Sequence, residues 1–194
     1  MRRLIVLCLL TAPALAGPVA PANAVREDPI RAALHTWHRG ERLAGFVPFL
    51  GAGLATGAAG GFLVASNGQP ARGAGVTLIA FGAVESIAGL YLGFSSFGKE
   101  SVREAALGTD RSAFVEGERA RVARISGLVQ PVLLGLWGAT ALGGGALAGA
   151  GALRNDDRLL GVGLGLAVQG LVLFLLDWAV LDRALAYDSV LRAQ

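Results

Sequence analysis

Three polar side chains lie deep inside otherwise apolar stretches of this chain, and they are its best candidates for chemistry: Glu85, Gln169 and Asp177. A charge at the middle of a bilayer costs about 3 kcal/mol or more, so an acid retained there points to function. Glu85 falls near the centre of its stretch, and Gln169 holds a matching depth in a later one. One reading is a proton- or cation-binding site with Glu85 as carrier and Gln169 as partner. The plainer reading is a protonated Glu85 that hydrogen-bonds across helices and holds them together. No Lys or Arg lies inside these stretches to pair with it, which favours the plainer reading. Asp177 sits nearer the end of its stretch, at a depth from which it could reach Arg124 or another basic group.

Other chemistries find less support. His35 and His38 are three apart and could share a metal, with Glu27, Asp28 or Glu41 adding an oxygen, but no Cys or third His completes a set. Cys8, the only cysteine, falls in the leader described below. The glycine clusters lack the G-K-[ST] of a phosphate loop, and nothing spaces Ser, His and Asp as a hydrolase does. No His lies in an apolar stretch to ligate a haem. The expectation is a non-enzymatic protein without metal or cofactor.

The elements that must position these side chains are four long apolar stretches, residues 44–66, 74–97, 125–152 and 159–181. A helix rising 1.5 Å per residue needs roughly 20 apolar residues to cross a hydrocarbon core of ~30 Å. The chain has 194 residues, 54% of them hydrophobic before its 29 glycines are counted, and a mean hydropathy of +0.57. This predicts an all-α membrane protein surrounded by the lipid bilayer. Its four transmembrane helices form two Gly-rich hairpins, 44–97 and 125–183. Continuous apolar runs and an aromatic content of 7% argue against a β-barrel.

Small residues four apart line one helix face and admit a close neighbour. By that spacing the packing positions are Gly53, Gly57 and Gly61; Gly82 with Ser86; Gly89 with Gly93; Ala141 with Gly145 and Gly149; and Gly161 with Gly165. Pro48 and Pro131 should kink the first and third spans near their starts. The halves resemble each other in plan, and Ala83-Val84-Glu85-Ser86 matches Ala167-Val168-Gln169-Gly170 in position. Duplicated hairpins would make a parallel repeat.

The flanks complete the plan. Residues 1–24 read as a secretory signal peptide, with basic Arg2 and Arg3, an apolar run and an Ala22-Asn23-Ala24 cleavage site. Residues 25–43 form an amphipathic interfacial helix, capped by Asp28, with Ile30, Ala33, Leu34 and Trp37 on one face. That face meets either lipid headgroups or the end of the bundle. Residues 98–124 read as a polar, partly helical loop with a capping box at Ser101 and Glu104, and residues 184–194 as a tail.

Without Arg2 and Arg3 there remain 15 basic and 14 acidic residues, a balance that gives no reason to expect nucleic acid. Continuous apolar helices favour a bacterial-type inner membrane. Orientation is contested. Twelve basic residues flank the spans on the side of both termini and three, Arg72, Arg154 and Arg158, on the other. That bias places the termini in the cytoplasm, whereas the leader places them outside. Glu27 and Asp28 offset the charge just after the leader and tip the reading outward. The resulting expectation is a compact bundle acting in self-association or as a subunit of a membrane complex. The alternative is a small channel or a proton- or cation-coupled carrier that uses Glu85.

Overall fold

A computed structural model describes residues 28–66 and 68–193. The leader assigned to residues 1–24 lies outside them. The described elements are all helical. Helix α1 (Pro29–Ala44) passes through one π-helical turn (Gly45–Leu50) into α2 (Gly51–Ala65). Helix α3 (Gln69–Thr109) follows a short turn. Helix α4 (Arg111–Arg124) passes through a second π-helical turn (Ile125–Val129) into α5 (Gln130–Arg154), and α6 (Asp157–Arg192) closes the chain. The two wide turns fall at Pro48 and just before Pro131. Proline lacks an N–H and its ring crowds the carbonyl four residues back; widening the turn relieves that clash without breaking the rod.

Four continuous rods result: Pro29–Ala65, Gln69–Thr109, Arg111–Arg154 and Asp157–Arg192, of 37, 41, 44 and 36 residues. All four are long and apolar enough to cross a membrane. Their outer surface suits lipid, with Phe62 78% and Leu153 87% exposed. At 1.5 Å per residue each exceeds a ~30 Å hydrocarbon core. The excess gathers at one end, where α1, α4 and the C-terminal turns of α3 and α6 pack together. Ile30, Leu34, Trp37, Leu107, Phe114, Val122, Ala184, Tyr187 and Leu191 form the buried core of this cap.

The cap revises three expectations from sequence. Segment 98–124 is not a loop: α3 runs unbroken to Thr109, and the chain turns only at Asp110, whose carboxylate accepts from Ala113 N at 3.0 Å and caps α4. Ser101 therefore sits inside a helix, donating to Gly98 O at 3.0 Å, while Glu104 pairs with Arg31 at 3.7 Å; there is no capping box. Of the two surroundings open to the apolar face of α1, the structure shows the end of the bundle: Ile30, Leu34 and Trp37 fill the cap's core. The 184–194 tail is largely the last turns of α6, held there by Ala184, Tyr187 and Leu191. Asp28 does cap α1, accepting from Ile30 N at 3.0 Å. Arg111 also donates to it, and that bond holds its carboxyl below the usual carboxylate range against the opposing effect of burial.

Inside the membrane-length part, α3 and α6 lie at the centre, α2 packs on α3, and α5 packs on α6. Glycines make these contacts backbone to backbone. A Cβ on Gly53 would stand 2.6 Å from Ser86 Oγ, one on Gly60 2.6 Å from Gly75 O, and one on Gly89 2.5 Å from Leu50 N. Gly93 lies under the ring of Phe46, Gly165 under Thr77, and Gly161 against the carbonyl of Pro70. The seam differs from the four-residue stripe read from sequence. Cβ atoms on Gly57, Gly61, Gly145 or Gly149 would meet nothing within 4 Å. The α2 seam is instead Gly45, Gly53 and Gly60, and the α5 seam is Gly144, Ala148 and Gly151. The geometry of the α-helix accounts for this: the seven-residue step from Gly53 to Gly60, or from Gly144 to Gly151, turns the face by only about 20°, whereas the two four-residue steps from Gly53 to Gly61 turn it by about 80°.

A contrast of two substitutions checks the seam. Gly53→Leu must overpack a backbone contact and is expected to cost about 1–3 kcal/mol. Gly61→Leu projects into open space and should leave thermal unfolding in detergent unchanged. Equal loss in both variants would refute the seam as placed here.

Candidate intramembrane carboxylate site

The glycines of α3 and α6 bring two polar side chains together. Along its buried face α3 presents Gly75, Gly82, Glu85, Gly89 and Gly93; α6 presents Gly161, Gly165, Gln169, Leu173 and Asp177. Gly75, Gly82, Gly89 and Gly93 face α2 and the turn before it, while Gly73 of α3 and Gly161 and Gly165 of α6 bring α3 and α6 together, and there Glu85 and Gln169 meet directly. They are 2% and 0% exposed, and Gln169 Nε2 donates to Glu85 Oε1. Glu85 Oε2 and Gln169 Oε1 are both buried without a hydrogen-bond partner among the described residues. A carboxylic acid and a primary amide pair through two bonds when the acid is protonated, N–H to one oxygen and O–H to the other. A single proton on Glu85 is therefore the species that matches this pair of oxygens.

Asp177 lies two turns beyond Gln169 on α6 and is 8% exposed. Its partners are neutral, not the Arg124 considered from sequence. Trp137 Nε1 donates to Asp177 Oδ2 at 2.5 Å, and Gln130 Nε2 donates to the Asp177 carbonyl at 3.0 Å and to Oδ1 at 3.5 Å. Gln130 and Trp137 were not singled out in the sequence. Their signal was available: seven residues apart, they share a face of α5 and each carries a donor.

Glu85 and Asp177 both line a cavity of about 360 Å³ between α3, α5 and α6, with Phe49 at one edge. A second cavity of about 200 Å³ shares Phe49, Leu92, Leu133 and Asp177 with the first and reaches Glu41 and Arg183. The two share Asp177 in their walls, and ionisable groups step from Glu85 through Asp177 to Glu41 towards the cap. The opposite half of the bundle is closed by the Gly60–Gly75 and Gly161–Pro70 contacts.

The histidines part company in the cap. His35 Nδ1 pairs with Glu100 at 2.7 Å near the surface. His38 is fully buried: its Nδ1 meets Glu41 Oε2 at 2.9 Å, and its carbonyl accepts from Ser96 Oγ at 3.1 Å. Among the described residues no group of three or more His, Cys, Asp and Glu is arranged to hold a metal ion.

No protein-family model matches the chain, and neither a curated protein nor a solved structure matches it.

The pairing of Glu85 with Gln169 predicts a specific non-additivity. Gln169→Leu removes the partner of Glu85 and should cost about 1–3 kcal/mol, the usual penalty for stranding a buried polar group. Adding Glu85→Leu should restore much of that loss, since two apolar side chains leave nothing unpaired. Thermal unfolding of the single and double variants in detergent reads the difference; strictly additive losses would refute the pairing.

Proposed function

We propose that this chain is a non-enzymatic, multi-pass membrane protein that binds a proton or cation at Glu85, with Gln169 as partner and Asp177 on the approach from the cap. The supporting observation is the buried Glu85–Gln169 pair with its two unpartnered oxygens, set beside a cavity that shares Asp177 with a second one reaching Glu41. A structural hydrogen bond alone does not require adjoining space or a second acid. In proteoliposomes the full chain should carry a flux driven by a pH gradient. Glu85→Gln should abolish that flux while helical content persists. Undiminished flux in that variant would defeat the reading.

A second reading, association with itself or within a membrane complex, draws on a different observation. Gly61, Gly145 and Gly149 meet nothing among the described residues on the side a Cβ would take and stand open on the outer surface. Small residues in such places let another helix approach closely. Cross-linking in lipid should then trap a dimer that Gly61→Leu removes.

We place the protein in a bacterial-type inner membrane, after removal of the leader, with both ends of the mature chain on the outer side. Alkaline phosphatase fused after Gln194 should be active; an inactive fusion beside a fluorescent cytoplasm-only reporter would reverse the orientation.

A further inference from the structure

We propose that the 360 Å³ cavity between α3, α5 and α6 binds an organic monocation with an apolar body, taken up in exchange for the proton of Glu85. This rests on the reading of Glu85 as a proton-binding group and names the ligand class of the same site.

Size is the first support, since the volume lies within the range of small-molecule pockets, roughly 300–1,000 Å³. Wall chemistry is the second. Phe49, Phe81, Leu133, Trp137 and Leu173 line an almost wholly apolar chamber. Glu85 and Asp177 are its ionisable residues, and no Lys, Arg or His lines it. A chamber with two acids and no base selects positive charge, and aromatic rings in its wall favour a diffuse cation over a hydrated one. A small metal ion would need about six oxygen ligands, which these walls do not supply.

The two acids divide the work. Both Asp177 oxygens are engaged, by Trp137 Nε1 and Gln130 Nε2. Glu85 Oε2 is engaged by nothing among the described residues. Glu85, whose Oε2 is released once its proton leaves, is therefore the group that can face a guest, and Asp177 keeps its two donors. When the cation enters, the Glu85 O–H bond breaks and its electron pair stays on the carboxylate, which pairs with the guest. The proton leaves by Asp177 and the second cavity to water at the cap. Charge in the chamber is the same before and after, so the exchange avoids burying an unpaired ion.

The route of arrival follows from the packing. Helices α3 and α5 flank α6, and the cavity lies between them with Val84 at its rim, 64% exposed on the outer surface. A cation with an apolar body dissolves in the bilayer and meets this opening from the side.

Tetraphenylphosphonium tests the proposal, with tetraphenylborate as the same shape carrying the opposite charge. Equilibrium dialysis of the full chain in detergent should show one saturable phosphonium site and none for the borate. Affinity should fall as the pH falls, by up to tenfold per pH unit, with one proton released per cation bound. Glu85→Gln should weaken binding at least tenfold, and Ala88→Phe, which leaves Glu85 in place and fills the chamber, should remove it. Binding that is independent of pH, or equal in wild type and Glu85→Gln, overturns the cation site. So does an absence of saturable binding. The carboxyl infrared band that disappears in Glu85→Gln then separates the two readings: if it still titrates, the proton site stands without the cation; if it does not, both fall.

Discussion

Close approach of helix backbones is the constraint on which the rest of this structure depends. In lipid there is no hydrophobic force between helices, so association relies on van der Waals contact and hydrogen bonds, and both need short distances. Glycine supplies the distance. Where α2 meets α3 and α5 meets α6, added Cβ atoms at Gly53, Gly60 and Gly170 would stand 2.5–2.7 Å from backbone or side-chain atoms of the neighbouring helix. The contact between α3 and α6, at Gly161 and Gly165, is of the same kind. It sets the spacing at which Glu85 and Gln169 can touch. With larger residues at those positions the pair would be pushed apart, and two polar side chains would be left facing hydrocarbon.

The same constraint explains why the bundle is tight at one end and open at the other. Towards the short turns the helices carry glycines on both sides of each seam and close upon one another. Towards the cap the inner residues are larger: Phe49, Phe81, Leu92, Leu133 and Trp137. The proline-driven wide turns at Gly45–Leu50 and Ile125–Val129 fall at this end. The first of these turns still packs tightly on α3 at Gly89 and Gly93, but between α3 and α5 the bulky side chains leave space, and that space forms the two cavities. Above that opening the cap compensates with ion pairs and side chain-to-backbone bonds. Arg183 Nη1 donates to Gly40 O at 2.7 Å and Arg119 Nε to Leu191 O at 3.1 Å, tying α1 to α6 and α4 to the last turn of α6.

The amino-acid sequence made the membrane-length helices legible because hydropathy depends on composition, and composition survives small shifts in register. Glu85, Gln169 and Asp177 were legible for the same reason: polar residues stand out against an apolar background. Register was harder. The four-residue spacing of Gly53, Gly57 and Gly61 identified the right helix but ran off the seam at Gly61 and missed Gly60, since a face followed over several turns depends on the seven-residue repeat and on what the neighbour presents. Segment 98–124 misled for another reason. Its charges read as solvated loop and surface, yet Phe114, Glu118 and Val122 are buried. In a helix that packs beyond the bilayer, ion pairs such as Arg121–Glu118 at 2.5 Å let polar composition coexist with burial. Gln130 and Trp137 went unread because neither is charged, and their role exists only once Asp177 is opposite them.

The site's two central residues occupy corresponding places in the two halves. Ala83-Val84-Glu85-Ser86 and Ala167-Val168-Gln169-Gly170 match in position, and the fold sets the third residue of one against the third of the other. A pseudo-two-fold relation between hairpins would bring equivalent positions together at its axis in this way. Identical residues there would each fall short in a different way. Two carboxylates repel unless they share a proton, and two amides have no group that binds a proton near neutral pH. One acid opposite one amide avoids both faults: the amide gives a donor that needs no titration, and the acid keeps a single exchangeable proton. The difference at this one pair of positions therefore gives the contact between two similar hairpins one fixed donor and one titratable group.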